Sequence, residues 1–249
     1  DLVRSRGLGD VYKRQKRYFA AKTGLEESGL MNNRIFIIAG DGCMMEGCTS
    51  EAASLAGHLA LDELVVFYDD NSITIEGGTS LAFSEDVAAR FAAYNWRVIR
   101  LDNANDIAKC DAALAEALRS DGRPTLVIGQ TSLGYGAPNK QGKSSAHGEP
   151  LGEEEVEALR RNLGMPAEPF TVSDEVRAFC DARVAELEQE AAEWETKYQK
   201  FLEADPERAA LVMSFVNRTV PENLAEELLK VAPVDKPVAS RASSGAVSY

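Results

Sequence analysis

Two apolar runs end on oxygen-bearing side chains thirty residues apart. Residues 34–39 (RIFIIA) stop at Gly40-Asp41-Gly42, and residues 64–68 (LVVFY) stop at Asp69-Asp70-Asn71. If the runs are neighbouring parallel strands, the Asp41 carboxylate and the Asn71 amide oxygen face one crevice beyond the carboxyl ends of the sheet. That is where open α/β sheets bind ligands. The loop after Asn71 can add the backbone carbonyl of Ile73. Three oxygens from three points suit a hard cation, and magnesium takes such a set together with phosphate and water oxygens. The glycines flanking Asp41 would let the backbone approach a diphosphate closely. A helix starting just beyond would aim N–H groups at that anion. Gly-Asp-Gly alone is a common strand-to-helix turn. The pairing with Asn71 at the end of a second strand makes it a site.

The chain's two histidines lie in different settings. His147 sits in a polar, glycine-rich stretch, 131–150, read as a long irregular loop of the kind that is usually functional or disordered. His58 sits in an Ala/Leu-rich helix and is read as packing. Cys43, Cys48, Cys110 and Cys180 form no Cys-x-x-Cys pair, so free thiols fit better than a zinc site or a disulfide scaffold. Glu46 reads on its own as an acid near a helix N-terminus, where the helix dipole favours it.

These residues need a scaffold. With 249 residues, 45% of them hydrophobic, the chain can bury a real core as one or two domains. Unbroken apolar runs imply strands covered on both faces, as in a parallel sheet. Further strands are expected at 97–101 and 124–129, with helices over 16–31, 46–60, 84–94 and 106–119. This alternation predicts an α/β fold, a parallel sheet with helices on both faces. A helical extension follows the loop: 152–163, then a stripe of Val176, Cys180, Val184, Leu187, Ala191, Trp194, Tyr198 and Phe201 at steps of three and four, expected to pack on the sheet domain. Helices at 206–217 and 221–231 complete it. The expected organisation is residues 1–15 as a foreign or disordered segment without helical period, 16–150 as the α/β domain, 151–232 as helical extension and linker, and 233–249 as the start of another domain. The net charge of −13 disfavours nucleic acid and anionic membrane as partners. No apolar run reaches the length of a membrane span, and no secretory signal is visible.

The run GDGCMMEGCTSEAASLAGHLALDELVVFYDDNSITIEGG, the segment FAAYNW at 91–96 and GYGAPNK at 134–140 leading to His147-Gly148 together resemble the transketolase family over residues 16–249. The resemblance implies a thiamine diphosphate-binding fold and transfer of a two-carbon ketol unit from a ketose phosphate to an aldose phosphate, in the pentose phosphate pathway. The cofactors implied are thiamine diphosphate and Mg2+, with Ca2+ or Mn2+ as possible substitutes. Asp41, Asn71 and the Ile73 carbonyl would hold the metal. Gly42 and Asn71 would contact the diphosphate, and Ile75 would lie near the cofactor. His147 would touch both diphosphate and sugar. Glu46 would lie at a homodimer interface and couple the two active sites, and Arg241 would grip the sugar phosphate. A cytoplasmic location follows from the same resemblance.

Other readings carry different expectations. A deoxyxylulose-phosphate synthase, a 2-oxoacid dehydrogenase component or a phosphoketolase would share the cofactor but not the Met44-Met45-Glu46-Gly47 run with the His147 loop. A stand-alone half would need a partner chain. A nucleotide-binding α/β protein would carry a phosphate-loop lysine or a Gly-x-Gly-x-x-Gly motif, and neither is present. The chain lacks the family glutamate that activates the cofactor's aminopyrimidine ring. It is therefore expected to be a fragment, inactive by itself and weak in cofactor binding, with an exposed apolar surface.

Overall fold

The computed structural model describes residues 8–231 and 237–248. Two compact units divide the chain, Asp1–Leu187 and Glu188–Tyr249.

The first unit is built on four parallel strands, β1 (Ile35–Gly40), β2 (Leu64–Asp70), β3 (Arg97–Leu101) and β4 (Thr125–Gln130), in the order β1-β2-β4-β3. The register pairs Gly40 with Asp69 and Asp70 with Gln130. Strand alternation sorts the side chains onto two faces. Leu64, Val66, Tyr68, Leu126 and Ile128 join one core with Met44 of α2 (Asp41–Met45), Ala53 and Ala56 of α3 (Gly47–His58), and Val87, Ala88 and Phe91 of α4 (Val87–Ala93). Val65, Val127, Ile99 and Leu101 face the other way, onto Ala113 and Ala117 of α5 (Ile107–Ala117). The sheet is therefore parallel, with helices on both faces, as the runs of apolar residues imply.

Local signals explain the helix boundaries. Asp86 and Asp106 cap α4 and α5 through side-chain oxygens that accept backbone N–H bonds. Trp96, between α4 and β3, donates Nε1 to the Ala53 carbonyl (2.8 Å) and meets Phe91 edge-on. Gly57 lets α3 approach this corner: a Cβ there would lie 1.8 Å from the Tyr94 carbonyl oxygen.

Several expectations need correction. The first helix, α1, spans Leu8–Thr23 rather than 16–31. Residues 8–15 are thus helical, whereas 1–7 lie outside the described residues. Gly24, in the left-handed region (φ 73°), ends α1, and Leu25 and Leu30 are buried from turns instead. The helix expected over 46–60 is α3, Gly47–His58, and a separate short helix, α2, precedes it, the two divided by the extended backbone of Glu46 (ψ 132°). His58 is exposed, not packed. Strand β1 is covered on one face only: Phe36 is 55% and Ile38 70% exposed, because α5 lies over β3 and β4 and does not extend to this edge strand.

Beyond β4, α6 (Glu153–Asn162) follows the long loop, and α7 (Asp174–Ala204) runs on as a 31-residue helix. The apolar stripe on α7 exists, but the expectation that it packs on the sheet is corrected. Within the first unit, Val176, Val184 and Leu187 of the stripe are exposed. The second unit carries α8 (Pro206–Val216), capped by Asp205 with Pro206 in its first turn, then α9 (Leu224–Val231) and α10 (Ser240–Ser248).

Candidate functional site

Asp41 opens α2 directly at the tip of β1, and Asn71 follows the last residue of β2. Because the two strands are hydrogen-bonded neighbours, their tips converge. Asp41 is 3% exposed. Its Oδ1 accepts the hydroxyl of Tyr68 at 2.7 Å, and its Oδ2 accepts the backbone N–H of Asn71 at 3.2 Å. Asn71 turns its own Oδ1 to the N–H of Ile73 (3.0 Å), an Asx turn that places Ser72 at φ 60°. A tight hairpin follows. Ile73 bridges Gly78, and the hydrogen bonds of that bridge go to the Ser72 and Gly77 carbonyls. Among the described residues no hydrogen bond reaches the Ile73 carbonyl.

The site is strongly acidic. Asp41, Asp69 and Asp70 surround Tyr68, and no Lys or Arg forms an ion pair with any of them among the described residues. Burial first, then the hydrogen bond to Asp41 and the nearby carboxylates, push the Tyr68 hydroxyl far above the ordinary tyrosine range, so it stays a donor. Burial and the charges of Asp41 and Asp69 raise Asp70, opposed by the Tyr68 hydroxyl and by Arg100. A buried carboxylate without a basic partner is costly. A divalent cation would answer it, and the donor set of carboxylate, amide oxygen and free carbonyl matches a hard ion. A Cβ at Gly40, Gly42 or Gly47 would meet nothing within 4 Å, so these glycines border open space rather than packed protein.

Arg90 of α4 secures this end of the sheet. It donates to the Met44 carbonyl at the end of α2 (2.9 Å) and to Ser50 of α3 (2.8 Å). The helix at the motif starts on Asp41 itself, not after it, and is five residues long.

The other candidates are placed less centrally. Ile75 projects from the hairpin, 71% exposed. Glu46 is exposed between α2 and α3 and caps neither helix with its side chain. His147 is exposed at the end of the 3₁₀ turn Ser144–Ala146, and no hydrogen bond joins it to Asp41 or Asn71 among the described residues. Arg241 lies exposed in α10 of the second unit.

Sequence reasoning missed two supports. Tyr68 was read as strand core, although alternation puts it on the same face as Val66. Glu155 fastens the loop that carries His147: its carboxylate accepts the Asn139 N–H (2.7 Å), the Asn139 side-chain amide (2.9 Å) and the Lys140 N–H (3.0 Å). No periodicity announces such a clamp. The loop is accordingly compact, with Ala137 buried and Gly142 N–H bonded to the Leu133 carbonyl.

Residues 10–221 match a family model described as transketolase, thiamine diphosphate binding domain. The chain is 41% identical over 211 residues to transketolase 7 of Craterostigma plantagineum, covering 84% of this chain and 31% of that protein. It is 41% identical over 234 residues to the transketolase of Geobacillus stearothermophilus, covering 93% of this chain and 35% of that one. The solved transketolase of Leishmania mexicana superposes with a TM-score of 0.83 at 31% identity, over 98% of this chain and 36% of that chain. A Pichia stipitis transketolase in complex with xylulose-5-phosphate gives 0.82 at 34% identity, with the same coverage of 98% and 36%. The chain thus spans about a third of the length of these relatives.

Proposed function

Because the chain belongs to the transketolase family and carries that family's thiamine diphosphate-binding domain, we propose that the tips of β1 and β2 hold thiamine diphosphate through a divalent metal ion. We propose further that the protein transfers a two-carbon ketol unit from a ketose phosphate to an aldose phosphate. The observation that carries this reading is Asp41, a buried carboxylate with two hydrogen-bond donors and no basic partner, touching the backbone of Asn71.

On this reading Asp41, Asn71 and the Ile73 carbonyl are the metal's protein ligands, with Mg2+ the natural ion and Ca2+ or Mn2+ as substitutes. Gly42 and Asn71 border the diphosphate, and Ile75 supplies apolar contact. When bound, the cofactor supplies the carbanion-stabilising chemistry. The chain's own part is to hold it and to exclude alternatives. His147 offers a hydrogen bond to the diphosphate and to a sugar oxygen, and the clamp on its loop keeps it within the domain. Arg241 is assigned to the sugar phosphate and Glu46 to a homodimer interface that links two sites. Sugar phosphates as substrates are supported by the Pichia stipitis relative, described with xylulose-5-phosphate. No helix among the described residues is long and apolar enough to cross a membrane.

Titration of the chain with Mn2+ in the presence of thiamine diphosphate, followed by electron paramagnetic resonance, tests the site. Uptake is expected to require both components and to fall at least about tenfold in Asp41→Asn, since one charged metal ligand is lost. Equal uptake by wild type and Asp41→Asn would remove the basis of the reading.

A further inference from the structure

Behind the two side chains assigned to the metal lies a second layer of polar contacts. Asp69 accepts a hydrogen bond from the Thr131 hydroxyl on Oδ1 and from the Asn71 Nδ2 on Oδ2, the latter at 3.4 Å. Thr131 follows directly on β4, the strand paired with β2, and its own N–H donates to the Asp70 carbonyl at 3.1 Å. The hydroxyl that holds Asp69 is thereby fixed by the sheet.

A carboxamide has two ends of nearly equal size, one an acceptor and the other a donor. A cation accepts only the oxygen. Nothing within Asn71 itself selects the end that is turned inward. Both Asp69 oxygens act as acceptors here, from the Thr131 hydroxyl and the Asn71 NH2, so Asp69 takes the NH2 end and disfavours the oxygen. The Ile73 N–H makes the matching demand from the other side, and it uses one of the two lone pairs on Oδ1. The second lone pair remains for a metal.

We propose that Asp69, held by Thr131, is a positioning residue that selects the orientation of the Asn71 carboxamide and so turns its oxygen toward the cation. This rests on the metal site described under Proposed function. It adds the residue pair that makes a neutral side chain a dependable ligand. With Asp69 replaced by an apolar residue, the flipped amide keeps only the penalty at the Ile73 N–H and becomes more populated. The ligand-competent fraction falls, and the apparent metal affinity falls with it. Asp69→Asn weakens the selection as well as removing the charge, because a carboxamide can turn either end to Asn71 and the Thr131 hydroxyl can pair with either.

The test uses two readouts on the 249-residue chain. In the metal-free state, the side-chain amide protons of Asn71 are followed by NMR. One is expected downfield and slowly exchanging in wild type and Thr131→Ser, and to lose both properties in Asp69→Leu and Thr131→Val. Second, Mn2+ uptake with thiamine diphosphate is expected to be about fivefold weaker in Thr131→Val than in Thr131→Ser, a pair that leaves the Asp69 carboxyl in place and so isolates orientation from charge. Asp69→Leu is the second variant should Thr131→Val not fold. An Asn71 amide that exchanges freely in wild type, while Mn2+ uptake is intact, overturns this inference alone. So does Mn2+ uptake in Thr131→Val equal to that in Thr131→Ser, which would make Asp69 a source of charge only. Absence of Mn2+ uptake by wild type overturns the site reading itself, and this inference with it.

Discussion

The hydrogen bond from Tyr68 to Asp41 is the most exposed to test. Both residues are 3% exposed, and the oxygens are 2.7 Å apart. Tyr68→Phe removes the hydroxyl while keeping the ring in the core with Val66 and Ile128. Oδ1 of Asp41 then loses its partner, and Oδ2 keeps only the Asn71 N–H at 3.2 Å. Hydrogen bonds to a charged group contribute about 1.5–3 kcal/mol, and a buried acceptor left unpaired falls in the same range. The expected loss is about 2 kcal/mol in metal-free buffer at pH 7, or about 4–8 °C in Tm for a chain of this size. Urea unfolding followed by the fluorescence of Trp96 and Trp194 measures it. A double-mutant cycle with Asp41→Ala assigns the loss to the pair, with a coupling of at least about 1 kcal/mol expected for groups in contact. A change below about 0.5 kcal/mol, the level of an ordinary surface substitution, or strict additivity with Asp41→Ala, would refute the reasoning.

Other expectations follow from the same geometry. Asp70 holds its proton more tightly in the folded chain than in the unfolded one, so its ionisation costs stability above the ordinary carboxylate range and the cost vanishes as pH falls through and below that range. Asp70→Asn should therefore be more stable than wild type at pH 7 without metal, and the advantage should shrink on acidification in paired urea melts. Glu155 behaves oppositely: its bonds to Asn139 and Lys140 hold it below the usual glutamate range, so its clamp is present at neutral pH and is lost as pH falls. Glu155→Ala should speed tryptic cleavage after Lys140 and Lys143 at neutral pH, read by mass spectrometry, with the rest of the sheet unit intact. Gly57→Ala would drive a methyl group into the Tyr94 carbonyl and should cost about 3 kcal/mol by urea melts, the upper range for overpacking.

How far the fold was legible depends on what each signal reports. The four strands were readable because each is a short apolar run closed by Gly, Asp or Pro; the Asp86 and Asp106 caps, seen in the structure, start α4 and α5 within a few residues of the helices expected from 84 and 106. Periodicity reports that a face is apolar and says nothing of what covers it. Phe36 and Ile38 on β1, and Val184 and Leu187 on α7, read as core, yet lie exposed. The short α2 was not legible for a related reason: at five residues, Asp41–Met45, it shows no period, and Arg90, forty-odd residues on in the sequence, meets its end at the Met44 carbonyl. At the site, Asp41 and Asn71 were visible as strand-end residues. The roles of Tyr68, Asp69 and Thr131 were not, because they depend on which strand lies beside β2, a fact of topology rather than of local sequence.

The overall charge and the site are parts of one argument. A chain of net charge −13 repels a diphosphate, and three carboxylates at the proposed point of binding would sharpen that repulsion. On the proposed reading the anion arrives with a cation. The same carboxylates that would reject the free diphosphate would then hold the ion that admits it. In the metal-free chain burial, and then the neighbouring carboxylates, raise Asp70, and Asp41 depends on Tyr68 and the Asn71 backbone. Metal binding would then be coupled to stability: whatever the ion relieves at this corner returns as resistance to unfolding, in proportion to its concentration over its dissociation constant. Mn2+ should accordingly stabilise wild type more than Asp41→Asn in urea. Equal stabilisation of the two would place the ion elsewhere on the acidic surface.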